Sequence, residues 1–150
     1  DTLVIAGMGG PLMERILKDG AKVREGFQEL ILQPQSDLPH FRHFLSEIGW
    51  EIVREEMIKE DGKFYPMMKA VRNNSGEKTV YTEEEAWFGP LLLEKRHPVL
   101  KEYLLREEMI RKKILAGLSG AESVSAKTRL AEVKEEMELI HTALKRYESI

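Results

Sequence analysis

The strongest constraint on the fold is a strand-then-helix pattern that occurs twice in the first third of the chain. Residues 3–6 form an apolar run typical of a strand buried in a parallel sheet, and a helix with an apolar stripe over residues 12–17 follows a glycine-rich turn. A second apolar run, residues 30–33, precedes a predicted helix over residues 39–48. This alternation predicts an α/β fold with a parallel sheet.

The rest of the chain divides into a strand pair and a helical tail. Two strand-like runs, residues 50–59 and 63–71, are joined by Asp61-Gly62, a β-hairpin signal. Residues 99–118 and 126–147 have helical apolar spacing, and the second stretch carries a heptad seam. We expect one domain over residues 1–90 and a coiled-coil-like helical hairpin over residues 91–150. The seam either packs on the neighbouring helix or joins a second copy of the chain.

Composition excludes several classes of protein. The chain has 150 residues without cysteine, which rules out disulfide frameworks, thiolate zinc sites and thiol catalysis, and suits a cytoplasmic location. No apolar run approaches the roughly 20 residues that cross a membrane. Residues 1–93 hold 11 Lys and Arg against 16 Asp and Glu, whereas residues 94–150 hold 12 against 10, so the tail is the more basic part. Because the chain begins inside an apolar strand, we expect it to be the C-terminal piece of a longer protein.

The glycine-rich turn Gly7-Met8-Gly9-Gly10 is the first candidate for a ligand site. It follows a sheet strand and opens a helix, the position at which open α/β sheets bind ligands. It is not a dinucleotide fingerprint, because Leu12 stands where a third glycine is needed, and it lacks the Gly-Lys-Ser/Thr ending of a P-loop. The alternative is a turn that is rich in glycine only for close packing of helix and strand.

Two further groups carry possible chemistry. His40, His43 and Glu47 share the spacing of one helix face, but no second set of ligands accompanies them, so we expect solvent-exposed histidines and no metal site. Cations of the tail could contact phosphates or only solvate the surface. The candidates are Lys95, Arg96, Arg111, Lys112 and Lys113.

A string of local motifs resembles one known family. The motifs are Ile5-Ala6-Gly7-Met8-Gly9-Gly10, Leu30-Ile31-Leu32-Gln33-Pro34, Gly49-Trp50-Glu51-Ile52 with Glu55-Glu56, Glu60-Asp61-Gly62-Lys63-Phe64-Tyr65 and Phe88-Gly89-Pro90. In this order and spacing the sequence is similar to the bacterial tRNA adenine-22 N1-methyltransferases of the TrmK type, over essentially the whole chain.

The resemblance implies the second half of a Rossmann-like class I methyltransferase sheet, ending in an antiparallel strand pair and followed by the helical hairpin. It implies S-adenosyl-L-methionine as cofactor and tRNA as substrate. Since the family's glycine-rich cofactor loop and ribose-binding acid lie in the N-terminal half, this chain would hold only the target-base side of the site.

The resemblance also assigns roles to individual residues. The catalytic loop would be Gly7, Met8, Gly9 and Gly10, with Ala6, Gly7 and Met8 near the cofactor. Gln33 is a candidate for RNA contact, and the five tail cations join it because the tail is the more basic part of the chain.

Two other functions stay open at this point. The chain could be a non-enzymatic helical interaction or RNA-binding module, with self-association through its last helix. It could also belong to a different α/β enzyme that binds a nucleotide at residues 7–10.

Overall fold

The computed structural model describes residues 1–148. The chain divides into two compact units, Asp1–His97 and Pro98–Ile150. The first unit contains β1 (Thr2–Met8), α1 (Gly10–Asp19), α2 (Ala21–Arg24), β2 (Glu29–Pro34), α3 (Leu38–Glu47), β3 (Trp50–Glu60), β4 (Lys63–Arg72), α4 (Glu83–Phe88) and α5 (Pro90–Glu94), and the second contains α6 (Pro98–Leu118) and α7 (Val124–Lys145).

The sheet of the first unit has the order β1-β2-β4-β3. Strands β1 and β2 are parallel, whereas β4 is antiparallel to both β2 and β3. The predicted alternation of strands and helices followed by an antiparallel pair is therefore confirmed. The register of β1 on β2 shifts between Ala6 and Met8, which makes Gly7 an extra residue at the end of β1.

The hairpin between β3 and β4 follows from local sequence. Asp61 and Gly62 have φ values of 51° and 76°, so both central residues of the turn are left-handed. This is the type I′ geometry that matches the twist of the two strands, and Asp-Gly is among the pairs that adopt it most readily. The predicted hairpin is confirmed.

The structure differs from the prediction in the burial of β1 and α1. Val4 is 62% exposed, although we expected a strand buried on both faces. Within residues 1–148, β1 pairs with β2 alone and contacts α1, so Ile5 is buried while Val4 is not. In α1 the core-facing stripe is narrower than predicted, because Met13 and Leu17 are buried whereas Leu12 and Ile16 are exposed.

The segment after β4 contains two short helices. α4 ends at Phe88 and α5 begins at Pro90, with Gly89 at φ 97° between them. Glu83, Glu84 and Glu85 form the first turn of α4. Thr82 accepts a hydrogen bond from the Glu85 backbone N–H, and the Glu85 side chain accepts one from Thr82 N–H, so both caps satisfy donors at the helix end.

The second unit is an antiparallel helical hairpin. Arg111 of α6 pairs with Glu136 of α7, and Glu108, one turn earlier on α6, pairs with His141, later on α7. The heptad-seam residues Val133, Met137 and Ile140 are buried. Packing on a neighbouring helix is thus the role that the structure gives this seam, and self-association through α7 stays a prediction. No helix within residues 1–148 has the length and apolar character that would let it span a membrane.

Candidate functional site

Two loops meet where the parallel strands β1 and β2 end. The first loop is the turn of residues 7–10, and the second, residues 35–37, connects β2 to α3. Gln35 N–H donates to the Met8 carbonyl at 2.8 Å, and Gly10 N–H donates to the Ser36 carbonyl at 3.1 Å. The sheet therefore places the glycine-rich turn at the predicted ligand-binding edge and fixes it against a neighbouring loop.

Two glycines of the turn lie at this close contact. A Cβ at Gly10 would overlap the Ser36 carbonyl oxygen, and a Cβ at Gly9 would lie 2.8 Å from Ser36 Oγ. Neither residue needs a positive φ. Gly9 and Gly10 therefore let the two loops approach each other, whereas the alternative stated for the sequence was close packing of helix and strand.

Gly7 has a different environment. Its φ is 77°, and a Cβ built there would meet nothing within 4 Å. Gly7 and the preceding Ala6 are exposed, whereas Met8 is half-buried. Gln33, the register partner of Ala6 on β2, is also half-buried. The bulge at Gly7 thus presents bare backbone to an open space at the edge of the sheet.

An ion pair joins the helices that follow the two loops. His40 Nδ1 of α3 lies 2.8 Å from Glu14 Oε2 of α1. The hydrogen bond with Glu14, followed by the charge of that carboxylate, raises the pKa of His40 above its usual value of 6.5. His40 and His43 are exposed, as expected, and no group of three His, Asp or Glu side chains in residues 1–148 is arranged to hold a metal ion.

Comparisons with known proteins identify the family of the chain. A family model described as TrmK, tRNA (adenine(22)-N(1))-methyltransferase, matches residues 1–142. The chain belongs to the TrmK family. The glycine-rich turn, the β3–β4 hairpin and nearly all of the helical hairpin lie inside the matched range.

Individual relatives and solved structures resemble the chain over most of its length. The chain is 29% identical over 143 residues to the tRNA (adenine(22)-N(1))-methyltransferase of Bacillus subtilis, covering 93% of this chain and 60% of that protein. It superposes with a TM-score of 0.89 on an uncharacterized protein from Listeria monocytogenes, 31% identical, covering 96% of this chain and 63% of the other. A Streptococcus pneumoniae protein in complex with S-adenosyl-L-methionine has a TM-score of 0.80 at 26% identity, covering 95% and 59%.

These matches confirm the fold class but cover only part of the relatives' length. A further neighbour, from Streptococcus agalactiae, is assigned to the Rossmann superfamily and superposes with a TM-score of 0.83 at 27% identity. The chain spans about 60% of the length of the TrmK relatives that it matches. The activity and substrates of the whole protein are therefore a matter for proposal.

The five tail cations differ in their surroundings. Arg111 donates to Glu136 and Glu107 at 3.1 Å each, and Lys112 lies 3.7 Å from Glu108. Lys95 donates to the Glu55 carbonyl at 2.8 Å and pairs with Glu56 at 3.2 Å, which holds the pKa of Glu56 below its usual value. Within residues 1–148, Arg96 and Lys113 form no ion pair. These two have no carboxylate to give up on binding a phosphate.

Sequence reasoning missed a buried polar cluster behind the sheet. Arg42 and Glu55 are each 1% exposed and are joined at 3.1 Å and 3.2 Å. Arg42 also donates to the Ala86 carbonyl at 2.6 Å, and Leu91 N–H donates to Glu55 at 2.9 Å. A Cβ at Gly89 would lie 2.7 Å from Glu55. The cluster attaches the α4–α5 segment to the sheet, and its local signal in the sequence is Glu55, a charged residue between the buried Ile52 and Met57 of β3.

Proposed function

We propose that the complete protein transfers a methyl group from S-adenosyl-L-methionine to N1 of adenine 22 in tRNA, and that this chain supplies the target-base side of the site. The observation that carries the proposal is the exposed backbone at Ala6 and Gly7, at the carboxyl ends of two parallel strands, in a chain of the TrmK family. Because tRNA is the substrate and the chain has no cysteine, we place the protein in the cytoplasm.

The residues at this edge fit a flat substrate beside the cofactor. The open space at Gly7 lets a ring approach the backbone closely, which a side chain at that position would prevent. Ala6, Gly7 and Met8 would hold the cofactor side of the opening, and Gln33 would contact the RNA. When bound, S-adenosyl-L-methionine supplies an electrophilic methyl group on a sulfonium.

Methyl transfer to N1 of adenine depends on how the base and the methyl group are positioned. The nitrogen carries a free lone pair at neutral pH, so transfer needs alignment of the two reacting atoms more than it needs a general base. The methylated ring is cationic, and backbone carbonyl oxygens of residues 6–8 would stabilise the charge as it develops. Because N1 is paired in a duplex, the adenine must leave its stack before it reaches the loop.

The basic tail, residues 94–150, would hold the tRNA body. The hairpin helices have 21 and 22 residues, which at about 1.5 Å per residue gives roughly 30 Å of helix. Arg96 and Lys113 are the cations best suited to phosphate contact, since neither must first leave a carboxylate in the described chain. Lys95, Lys112 and Arg111 would contribute less.

A methylation assay on the complete protein tests the activity. With a methyl-labelled cofactor, we expect one methyl group per tRNA, located at N1 of adenine 22, and none when that adenine is replaced by guanine. Methylation at another position, or equal transfer to the guanine variant, would refute the proposed substrate.

Two variants test the role of the turn. Gly7→Ala adds a methyl group where space is open and strains the backbone by about 1–2 kcal/mol, so it should lower kcat strongly in a folded protein. Gly9→Ala should act through Ser36, and adding Ser36→Ala should restore much of the lost activity. Near-normal turnover of Gly7→Ala would reduce the turn to a packing element.

A further inference from the structure

A pocket lies at the opposite end of the sheet from the glycine-rich turn. It has a volume of about 210 Å³, and its lining includes Arg24 of α2, Trp50 at the start of β3 and Arg72 at the end of β4. Since β2 has six residues at about 3.3 Å each, roughly 20 Å separates the two ends of the sheet. The pocket is therefore distinct from the proposed methyl-transfer site.

Arg24 is buried in an unusual way. It is only 8% exposed, yet no carboxylate of residues 1–148 pairs with it, and its Nε atom has no hydrogen-bond acceptor. Within residues 1–148 its side chain makes one hydrogen bond, which Nη1 donates to the Leu17 carbonyl at 2.5 Å. The other arginine that is fully enclosed by this unit, Arg42, has Glu55 as its counter-ion. Buried charges in proteins are paired or bind an ion, so Arg24 lacks the partner that Arg42 has.

A second arginine adds to the positive charge. Arg72 lines the same pocket, lies over the Trp50 ring at 5.7 Å and donates to the Phe27 carbonyl at 3.1 Å. No ion pair of Arg72 occurs in the described part of the chain. Asn74, exposed at the rim, supplies an amide. Glu25 also lines the pocket but pairs with neither arginine.

We propose that this pocket binds a phosphate group, with Arg24 and Arg72 as its charged ligands. Guanidinium groups suit phosphate because their planar N–H donors match its oxygens. The phosphate could be inorganic, or it could be a phosphodiester of a bound RNA. The RNA source rests on the proposed function, whereas binding of inorganic phosphate does not.

Binding of inorganic phosphate to the complete protein, at constant ionic strength with chloride as reference, is the direct test. Calorimetry and thermal unfolding should show binding and a higher Tm in phosphate. Arg72→Gln, at an exposed residue that leaves the core intact, should weaken binding by roughly tenfold or more, and Arg24→Met should do the same. Arg15→Gln, at an exposed arginine of α1, removes the same charge outside the pocket and should bind phosphate as the native protein does.

Glu25→Gln removes the only carboxylate of the lining and should tighten phosphate binding. The proposal is overturned by an absence of phosphate binding in the native protein, by equal loss in Arg15→Gln and Arg72→Gln, or by weaker binding in Glu25→Gln.

A second experiment, which measures tRNA binding, identifies the source of the phosphate. If RNA supplies it, Arg72→Gln should also lower the slope of log K against log salt by about one unit, with Arg15→Gln unchanged. Phosphate binding that is lost in Arg72→Gln without any change in the tRNA slope supports a small phosphate ligand. Either result is separable from failure of the proposed function, which the methylation assay measures without reference to this pocket.

Discussion

Both units of the chain use arginine–glutamate pairs, but they place them in different surroundings. In the first unit Arg42 and Glu55 are each 1% exposed. In the second, Arg111 and Glu136 are 14% and 20% exposed and lie in a network with Glu107 and Arg129. A pair without access to water cannot exchange its partner, whereas a partly exposed pair can exchange its carboxylate for another anion. For these two pairs, burial more than residue type therefore decides whether the arginine can leave its carboxylate for another anion.

The largest effect is expected at the buried pair. Glu55→Gln leaves the Arg42 charge without a counter-ion and should lower the free energy of unfolding by about 3–5 kcal/mol. Urea unfolding measures this loss, provided that the dependence of the unfolding free energy on urea concentration is the same in both proteins. Glu51→Gln, an exposed residue of the same strand, is the matched control and should cost little. A loss below about 1 kcal/mol in Glu55→Gln would contradict the statement that the buried pair supports the fold.

The next effect concerns tRNA binding. Arg96→Gln with Lys113→Gln removes two cations that have no carboxylate partner, and the salt slope of tRNA binding should fall by roughly two units. Lys95→Gln with Arg111→Gln removes the same charge from paired positions and should change the slope less. Filter binding at several salt concentrations compares the two double variants. Equal slopes would show that ion pairing in the free protein does not decide which cations bind tRNA.

A smaller effect is expected in the hairpin itself. Arg111→Gln should destabilise the second unit by about 1 kcal/mol or less, and the loss should shrink as salt screens the pair. Helicity followed by circular dichroism during heating reports it. Lys134→Gln, an exposed residue of α7, should leave the transition in place. A loss that persists unchanged at high salt would place Arg111 among the buried, structural arginines.

The smallest effect is expected at an exposed ion pair of the first unit. His40 is an exposed member of the His40–Glu14 pair, and its pKa is raised chiefly by the hydrogen bond with Glu14. Its stabilisation is therefore fully present below pH 6.5, the usual value, and is lost as pH rises through the raised pKa. An NMR titration should show the pKa falling in Glu14→Gln and falling less in Glu47→Gln. No change in Glu14→Gln would mean that the pair does not form in solution.

Much of the fold could be predicted from the sequence because its signals are local. The apolar runs of β1 and β2 and the Asp61-Gly62 turn each depend on neighbouring residues, and all three were confirmed. The position of the glycine-rich turn followed from the strand before it. Its division into Gly7, which faces open space, and Gly10, which packs on Ser36, could not be predicted, since Ser36 lies 26 residues away.

The sequence by itself determined the order of strands and helices, the glycine-rich turn at the end of β1 and the family, since these depend on composition and spacing along the chain. Only the tertiary structure decided which charged residues are buried and which are paired. Arg42 meets Glu55 and Ala86 across separations of 13 and 44 residues, and Arg24 is enclosed without pairing to any carboxylate of residues 1–148. The reason is physical: the charge of an arginine is set by its own chemistry, whereas its access to water and its counter-ion depend on segments that become neighbours only when the sheet has formed.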